Sequence, residues 1–247
     1  MKRILIVGGA GGIGLSIAKV LEADKSTEQI YIVDKNALPT EYHNAKIKSF
    51  VFDLCNKDYS FFNQFTDIDS LIITAGFGKL DLFENIDDSL ITTYFNVNTI
   101  APIRIIKHFY DKLLHEKDFF CGVMVSISGF MSSPFFSVYA ATKASLKIFI
   151  ESVNVELEKS NSTNKILNIS PGSIKGTGFS GGATNLDETK QLAIEIIDNL
   201  KAKNDLFIPK YEEVFKEVLE RYHEDFRKEG AHSYDYKLNS GRIKKND

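Results

Sequence analysis

Ile4-Leu5-Ile6-Val7-Gly8-Gly9-Ala10-Gly11-Gly12-Ile13-Gly14 is the stretch on which the fold turns. Four consecutive apolar residues have the length and composition of a buried strand, and glycine stops them abruptly. Leu15, Ile17, Ala18, Val20 and Leu21 then recur at helical spacing. The reading is strand, turn, helix. Glycines let the chain turn tightly, and they let backbone N–H groups and a helix N-terminus approach a pyrophosphate where a side chain would block it.

Tyr31-Ile32-Val33 reads as a second buried strand that ends in Asp34. An acid about 20 residues beyond such a glycine turn can accept hydrogen bonds from the ribose hydroxyls of an adenosine, and its charge repels a 2′-phosphate. NAD is therefore expected over NADP, with Lys35 a cation that partly offsets the repulsion.

Tyr139-Ala140-Ala141-Thr142-Lys143 sets a phenol one helical turn from an ammonium, 13 residues after Ser126. A free phenol has a pKa near 10 and accepts protons poorly at neutral pH. A lysine four residues along the same helix face is expected to lower it, while Ser126 holds a substrate oxygen. Alone, Tyr-x-x-x-Lys is common at the edge of surface helices. Its meaning comes from the glycine turn, the acid and the serine strand that precede it.

With these motifs in order, the chain resembles the compact branch of the short-chain dehydrogenase/reductase family from Lys2 to about Phe179. The resemblance implies a Rossmann-type doubly wound parallel sheet in a three-layer α/β/α arrangement. It also implies hydride transfer between a nicotinamide cofactor and a carbonyl or secondary alcohol, with Ser126, Tyr139, Lys143 and Asn98 as the catalytic set. Gly8, Gly12, Ile13 and Gly14 correspond to the family's glycine motif, Val7 standing where a threonine is usual. Asp53 and Leu54 correspond to the adenine-facing pair after the third strand, and Ala75-Gly76 to the end of a motif whose two asparagines are here Ile73 and Thr74. That departure is expected to weaken the hydrogen bonds of the sheet. Asn98 lies in a helix predicted over about Ser89 to Leu114 and would order a relay water. Pro171, Gly172, Ile174 and Thr177 match the turn that grips the nicotinamide amide, Thr177 one residue late. Ser128 competes with Ser126 for the serine role, but ungapped spacing from Tyr139 favours Ser126.

Composition sets outer limits. The chain has 247 residues, 43% hydrophobic, enough for one sizeable core, and we expect one domain over residues 1–247. A net charge of −3 without a basic stripe disfavours nucleic acid, and Arg242, Lys244 and Lys245 read as solvated. Cys55 and Cys121 are too few for a disulfide framework or a zinc cluster; both lie near predicted strands expected to bury them, in a reducing cytoplasm. The apolar run after Lys2-Arg3 is too short for a signal peptide, and no segment is long enough to span a membrane. His108 and His115 stand about 10 Å apart along one helix, so no metal is expected. Phe61-Phe62 and Phe135-Phe136 read as core or pocket wall.

Residues 180–205 read as a substrate lid and helix. Four glycines surround Thr177, Phe179 and Ser180, and no charge occurs from Gly176 through Leu186, which favours a neutral or apolar substrate. Leu206-Phe207-Ile208-Pro209 suggests the last strand. Tyr211, Val214, Phe215, Val218, Leu219, Tyr222 and Phe226 form one apolar face of an added C-terminal amphipathic helix over residues 210–229, which packs on its own domain, covers the pocket or docks on a neighbour. The family resemblance implies a homodimer or homotetramer. Two other functions fit less of the pattern: a non-catalytic NAD(H)-binding redox sensor, and an NADP-dependent reductase of carrier-bound acyl groups.

Overall fold

The computed structural model describes residues 1–180, 182–241 and 243; Gly181 of the expected lid, and Arg242, Lys244 and Lys245, which the sequence reads as solvated, lie outside them. Strands β1 (Arg3–Val7), β2 (Gln29–Asp34), β3 (Ile47–Val51), β4 (Ser70–Ile73), β5 (Phe120–Met124), β6 (Ile166–Ile169) and β7 (Leu206–Phe207) form one sheet in the order β3-β2-β1-β4-β5-β6-β7. Every pairing is parallel. Strands covered on both faces need apolar residues at every position, which is why Ile4, Leu5, Ile6 and Val7 form an unbroken run, each at most 1% exposed.

Successive side chains of β1 serve opposite layers. Leu5 and Val7 join a core with Phe62, Phe65, Ile105, Leu146 and Ile150; Ile4 and Ile6 join another with Leu15, Ile17, Leu192 and Ile196. Helices α1 (Gly12–Ala23) and α6 (Leu186–Lys201) therefore cover one face, and α3 (Ala101–His108) and α5 (Ser137–Lys159) the other. This is the doubly wound three-layer arrangement expected. Strand order reverses between β1 and its neighbours β2 and β4, and in such sheets the crevice beyond the strand ends at the reversal binds ligands.

Three local expectations need correction. The helix predicted over Ser89 to Leu114 is segmented: α2 (Asp88–Phe95), a π-turn (Asn96–Ile100), α3, and α4 (Tyr110–His115). Pro102 has no N–H for an i−4 bond and its ring would strike that carbonyl; the widened turn, with Ala101 N–H donating to the Asn96 carbonyl, accommodates it. The C-terminal helix expected over 210–229 is instead a hairpin. A π-turn (Tyr211–Phe215) leads into α7 (Lys216–Glu224), and α8 (Phe226–Asn239) follows at Asp225, whose carboxylate caps it by accepting from Arg227 and Lys228 N–H. Cys121 is buried in β5 as expected, but Cys55 is exposed, because β3 ends at Val51 and the chain has left the sheet. Among the described residues no helix is long and apolar enough to cross a membrane.

Candidate active site

A cleft of about 1730 Å³ opens at the carboxyl ends of the strands, lined from Gly8–Gly14 and Asp34 at one end to Ser126, Tyr139 and the C-terminal hairpin at the other. At the glycine turn, Gly8 has φ +92° and a Cβ there would lie 2.3 Å from the Ala75 nitrogen. A Cβ at Gly14 would lie 2.3 Å from the Gly8 carbonyl oxygen. These two glycines let α1, β1 and β4 meet. Gly11 and Gly12 differ: a Cβ at either meets only Thr184 or Thr177 side-chain atoms, so their exposed backbone faces the cleft at the start of α1. Such a cradle fits a pyrophosphate.

Asp34 closes β2 beside this turn, its Oδ2 accepting from Ala10 N–H at 3.1 Å and its Oδ1 from Asn36 N–H at 3.0 Å. Asp53 and Leu54 line the same end, with Asp53 Oδ1 accepting from Cys55 N–H. Where weaker bonding was expected from the missing asparagines, the Thr74 hydroxyl donates to the Gly8 carbonyl at 2.9 Å. Thr74→Val removes that donor and leaves the carbonyl short of a partner; a loss of about 1 kcal/mol is expected in urea denaturation.

At the other end, Ser126 follows β5 with extended backbone (φ 172°), and its Oγ accepts from Ser128 N–H at 3.1 Å. The same hydroxyl acts on the phenol of Tyr139, in the first turn of α5, favouring its ionised form. Lys143, one turn on, is buried; its Nζ lies 5.7 Å from the Tyr139 ring centroid and donates to the Met124 carbonyl at 2.8 Å. Gly76 makes room for this group: a Cβ there would come within 3.3 Å of Lys143 Nζ and 3.2 Å of Asn98 Oδ1. Asn98 projects from the π-turn and is fully buried, accepting from Phe77 N–H at 3.0 Å and donating to the Phe77 carbonyl and the Thr142 hydroxyl.

The expected lowering of the tyrosine pKa is reversed. Burial pushes Tyr139 up to about 12, the Ser126 hydroxyl opposing it and Tyr94 adding to it. Burial likewise lowers Lys143 to about 7. An ammonium that is itself desolvated holds its charge poorly at neutral pH and so does little to stabilise a phenolate. Tyr139 therefore stays protonated at neutral pH.

The Lys143 shift carries a sign for stability. Between about 7 and its ordinary 10.5 the unfolded lysine is protonated and the folded one is not. Stability contributed by this group therefore rises as pH increases through that window, by at most about 1.4 kcal/mol per pH unit. Above pH 10 the raised Tyr139 acts in the opposite sense. Lys143→Met is expected to flatten the dependence of melting temperature on pH between 7 and 10, measured without dinucleotide.

The remaining expected site residues come together on the opposite wall. Pro171, Gly172, Ile174 and Thr177 line the cleft, but the Thr177 hydroxyl donates to the Ile174 carbonyl of its own turn at 3.0 Å. Thr184 from the lid accepts from Gly12 N–H at 2.9 Å. Phe179 packs against Tyr139 in a tilted arrangement with ring centroids 5.2 Å apart, and Phe136 packs against Tyr139 likewise at the same distance. Gly78 leaves space for the Phe179 and Tyr139 rings, since a Cβ there would lie within 2.9 Å of each. Phe135 is buried with φ +64°, a left-handed conformation costing a bulky residue about 1–2 kcal/mol.

Sequence reasoning left open whether the C-terminal segment covers the pocket, and it did not single out Arg221, Glu229 or Lys237. Val214, Phe215, Val218, Arg221, Glu229 and Lys237 of the hairpin line the cleft, with Phe215 seated over Gly172. The charge-free lid suggested an apolar substrate, yet Glu229 is nearly buried here and is held by Arg221 at 2.8 Å. The helical spacing of Val214, Phe215 and Val218 was the available signal; which surface it meets is a matter of tertiary contact.

The sequence model described as short chain dehydrogenase matches residues 2–187. The chain is 26% identical over 187 residues to an uncharacterized oxidoreductase of Saccharomyces cerevisiae, TDA5, a match covering 72% of this chain and 57% of that protein, which is less than two thirds of its length. It is 25% identical over 230 residues to retinol dehydrogenase 8 of Bos taurus, covering 88% of this chain and 73% of that one. The fold is similar to a short chain dehydrogenase/reductase from Burkholderia phymatum in complex with NAD (TM-score 0.76, 14% identity, 92% of this chain and 94% of that one). It is also similar to a short chain dehydrogenase from Burkholderia cenocepacia in complex with NADP (TM-score 0.74, 17% identity, 94% and 99%).

Proposed function

This chain belongs to the short-chain dehydrogenase family, and from that premise we propose that it is an NAD-dependent oxidoreductase of secondary alcohols and ketones with Tyr139 as general acid and base. A nicotinamide cofactor is common to the family's oxidoreductases. The observation that carries the reading is that Ser126 and Tyr139 line one cleft with the glycine cradle, with the amine of Lys143 buried 5.7 Å from the Tyr139 ring centroid.

When bound, the nicotinamide supplies or takes the hydride. Tyr139 gives its phenolic proton to the developing alkoxide during reduction and accepts one during oxidation. The Ser126 hydroxyl stabilises negative charge on the same oxygen. Lys143, with a pKa near neutrality, exchanges protons with solvent and restores the phenol, and it would hold the nicotinamide ribose. Asn98 braces Phe77 behind it through two hydrogen bonds. Phe136 and Phe179 exclude water from the reacting oxygen.

Asp34 supports NAD over NADP, because a carboxylate at the end of β2 accepts from ribose hydroxyls and repels a phosphate. Calorimetric titration of NAD, NADH, NADP and NADPH tests this. Wild-type protein should prefer NAD(H), and Asp34→Ala should weaken NAD(H) between about ten- and a hundredfold, the worth of hydrogen bonds to a charged acceptor. A wild-type preference for NADP(H) would overturn the cofactor assignment; binding of none of the four would overturn the enzyme itself.

A further inference from the structure

We propose that helix α8 belongs to the active site, with Tyr234 and Lys237 acting as positioning residues for Tyr139. The proposal rests on the proton role given to Tyr139 above and adds to it two residues near the C-terminus, 95 or more positions away in the chain.

The two side chains lie three residues apart, on one face of α8, and both grip the turn formed by residues 133–136. Lys237 Nζ donates to the Ser133 hydroxyl at 2.7 Å and to the Pro134 carbonyl at 2.8 Å, and stands 5.5 Å from the Phe136 ring centroid. The ring of Tyr234 packs against that of Phe135, tilted by 30° with centroids 4.4 Å apart. Gly230, one turn earlier, brings the helix against this segment: a Cβ there would lie 3.3 Å from Ser132 Oγ.

The gripped turn is the one that needs holding. Phe135 is left-handed at φ +64°, a conformation that persists in a bulky residue only when its surroundings enforce it. One restraint comes from the body of the fold, since the Phe135 carbonyl accepts from Asp81 N–H at 2.9 Å. A second closes the turn itself, Phe136 N–H donating to the Ser133 carbonyl at 2.9 Å, and the side-chain restraints come from α8. What the turn delivers is Phe136, the N-cap residue of α5: its carbonyl accepts from Ala140 N–H at 2.7 Å, and its ring lies tilted against that of Tyr139 with centroids 5.2 Å apart. A chain of direct contacts thus runs from Lys237 and Tyr234, through a strained turn, to the phenol. Misplacing a reacting group by an ångström is enough to cost about a hundredfold in rate.

The test compares Lys237→Ala, Lys237→Arg, Tyr234→Ala and an exposed control on the same helix, Lys228→Ala, in the full chain. Hydrogen exchange read by mass spectrometry should show residues 133–141 exchanging at least about tenfold faster in Lys237→Ala and Tyr234→Ala, with the cradle at residues 8–14 unchanged. Arginine, which can donate to both oxygens and lie over the ring, should restore protection. With acetophenone and 1-phenylethanol as probes, kcat should fall roughly 10- to 100-fold in the alanine variants, while the dinucleotide KM and its calorimetric affinity stay at the wild-type values. Unchanged exchange at residues 133–141, unchanged kcat, or loss of dinucleotide binding along with activity would each overturn the proposal, the last by showing a general structural role. If wild-type protein turns over neither probe, the exchange measurement still decides on the clamp, and the functional reading is judged separately by Tyr139→Phe.

Discussion

Tyr139→Phe should lower turnover by at least about a thousandfold while leaving dinucleotide affinity unchanged. The substitution removes one hydroxyl. The ring stays in its nest between Phe136 and Phe179, both 5.2 Å away, so packing volume is conserved and stability should move by about 1 kcal/mol or less. What disappears is the transferable proton, and positioned acid–base groups contribute about 10²–10⁴ in rate; here the same group also anchors the substrate oxygen. A fall in kcat and kcat/KM together, with the dinucleotide KM constant, is the signature of an interaction made in the transition state. Retention of turnover within tenfold of wild type would remove Tyr139 from the mechanism. Direction adds a second check. With the phenol held up to about 12 by burial, it remains protonated from pH 6 to 9, so reduction should lose nothing from its ionisation there. Oxidation, which needs it to accept a proton, should accelerate as pH rises.

Gly14→Ala should cost about 3 kcal/mol and abolish the cradle. The new methyl would lie 2.3 Å from the Gly8 carbonyl oxygen and 2.4 Å from Thr74 Oγ1, and neither can retreat, because the Gly8 carbonyl already accepts the Thr74 hydroxyl. Forcing atoms into a packed site costs about 1–3 kcal/mol, and the broken hydrogen bond adds about 1 kcal/mol. For a chain of this size that corresponds to a fall of roughly 6–12 °C in melting temperature. Gly178→Ala provides the contrast: a Cβ there meets nothing within 4 Å, and its stability should stay within about 0.5 kcal/mol of wild type. Equal effects in the two variants would show that the close approach of α1, β1 and β4 is not what these glycines serve.

Much of this was legible before folding. Parallel strands covered on both sides must be apolar throughout, so Ile4–Val7 could be read as β1, and an acid where Tyr31-Ile32-Val33 stops could be read as facing the crevice. The errors have physical causes as well. The helix over Ser89 to Leu114 looked continuous because apolar spacing does not register a missing N–H at Pro102, and the π-turn it brings carries Asn98. The hairpin looked like one helix because the apolar face of Tyr211 to Phe226 keeps its period across the break at Asp225.

Residue order alone carries the fold class and the residues proposed to react, since both depend on local patterns: an unbroken apolar run, glycine at a turn, Tyr and Lys one helical turn apart. Their electrostatics do not follow from order. Spacing says that Lys143 lies beside Tyr139 and implies a lowered phenol pKa; burial of both groups, a property of the assembled interior, raises the phenol and lowers the amine. The same holds for the substrate wall. That α8 meets the turn at residues 133–136 rests on contacts between segments a hundred residues apart, set by how the hairpin docks beyond β7, and no periodicity within either segment encodes that meeting.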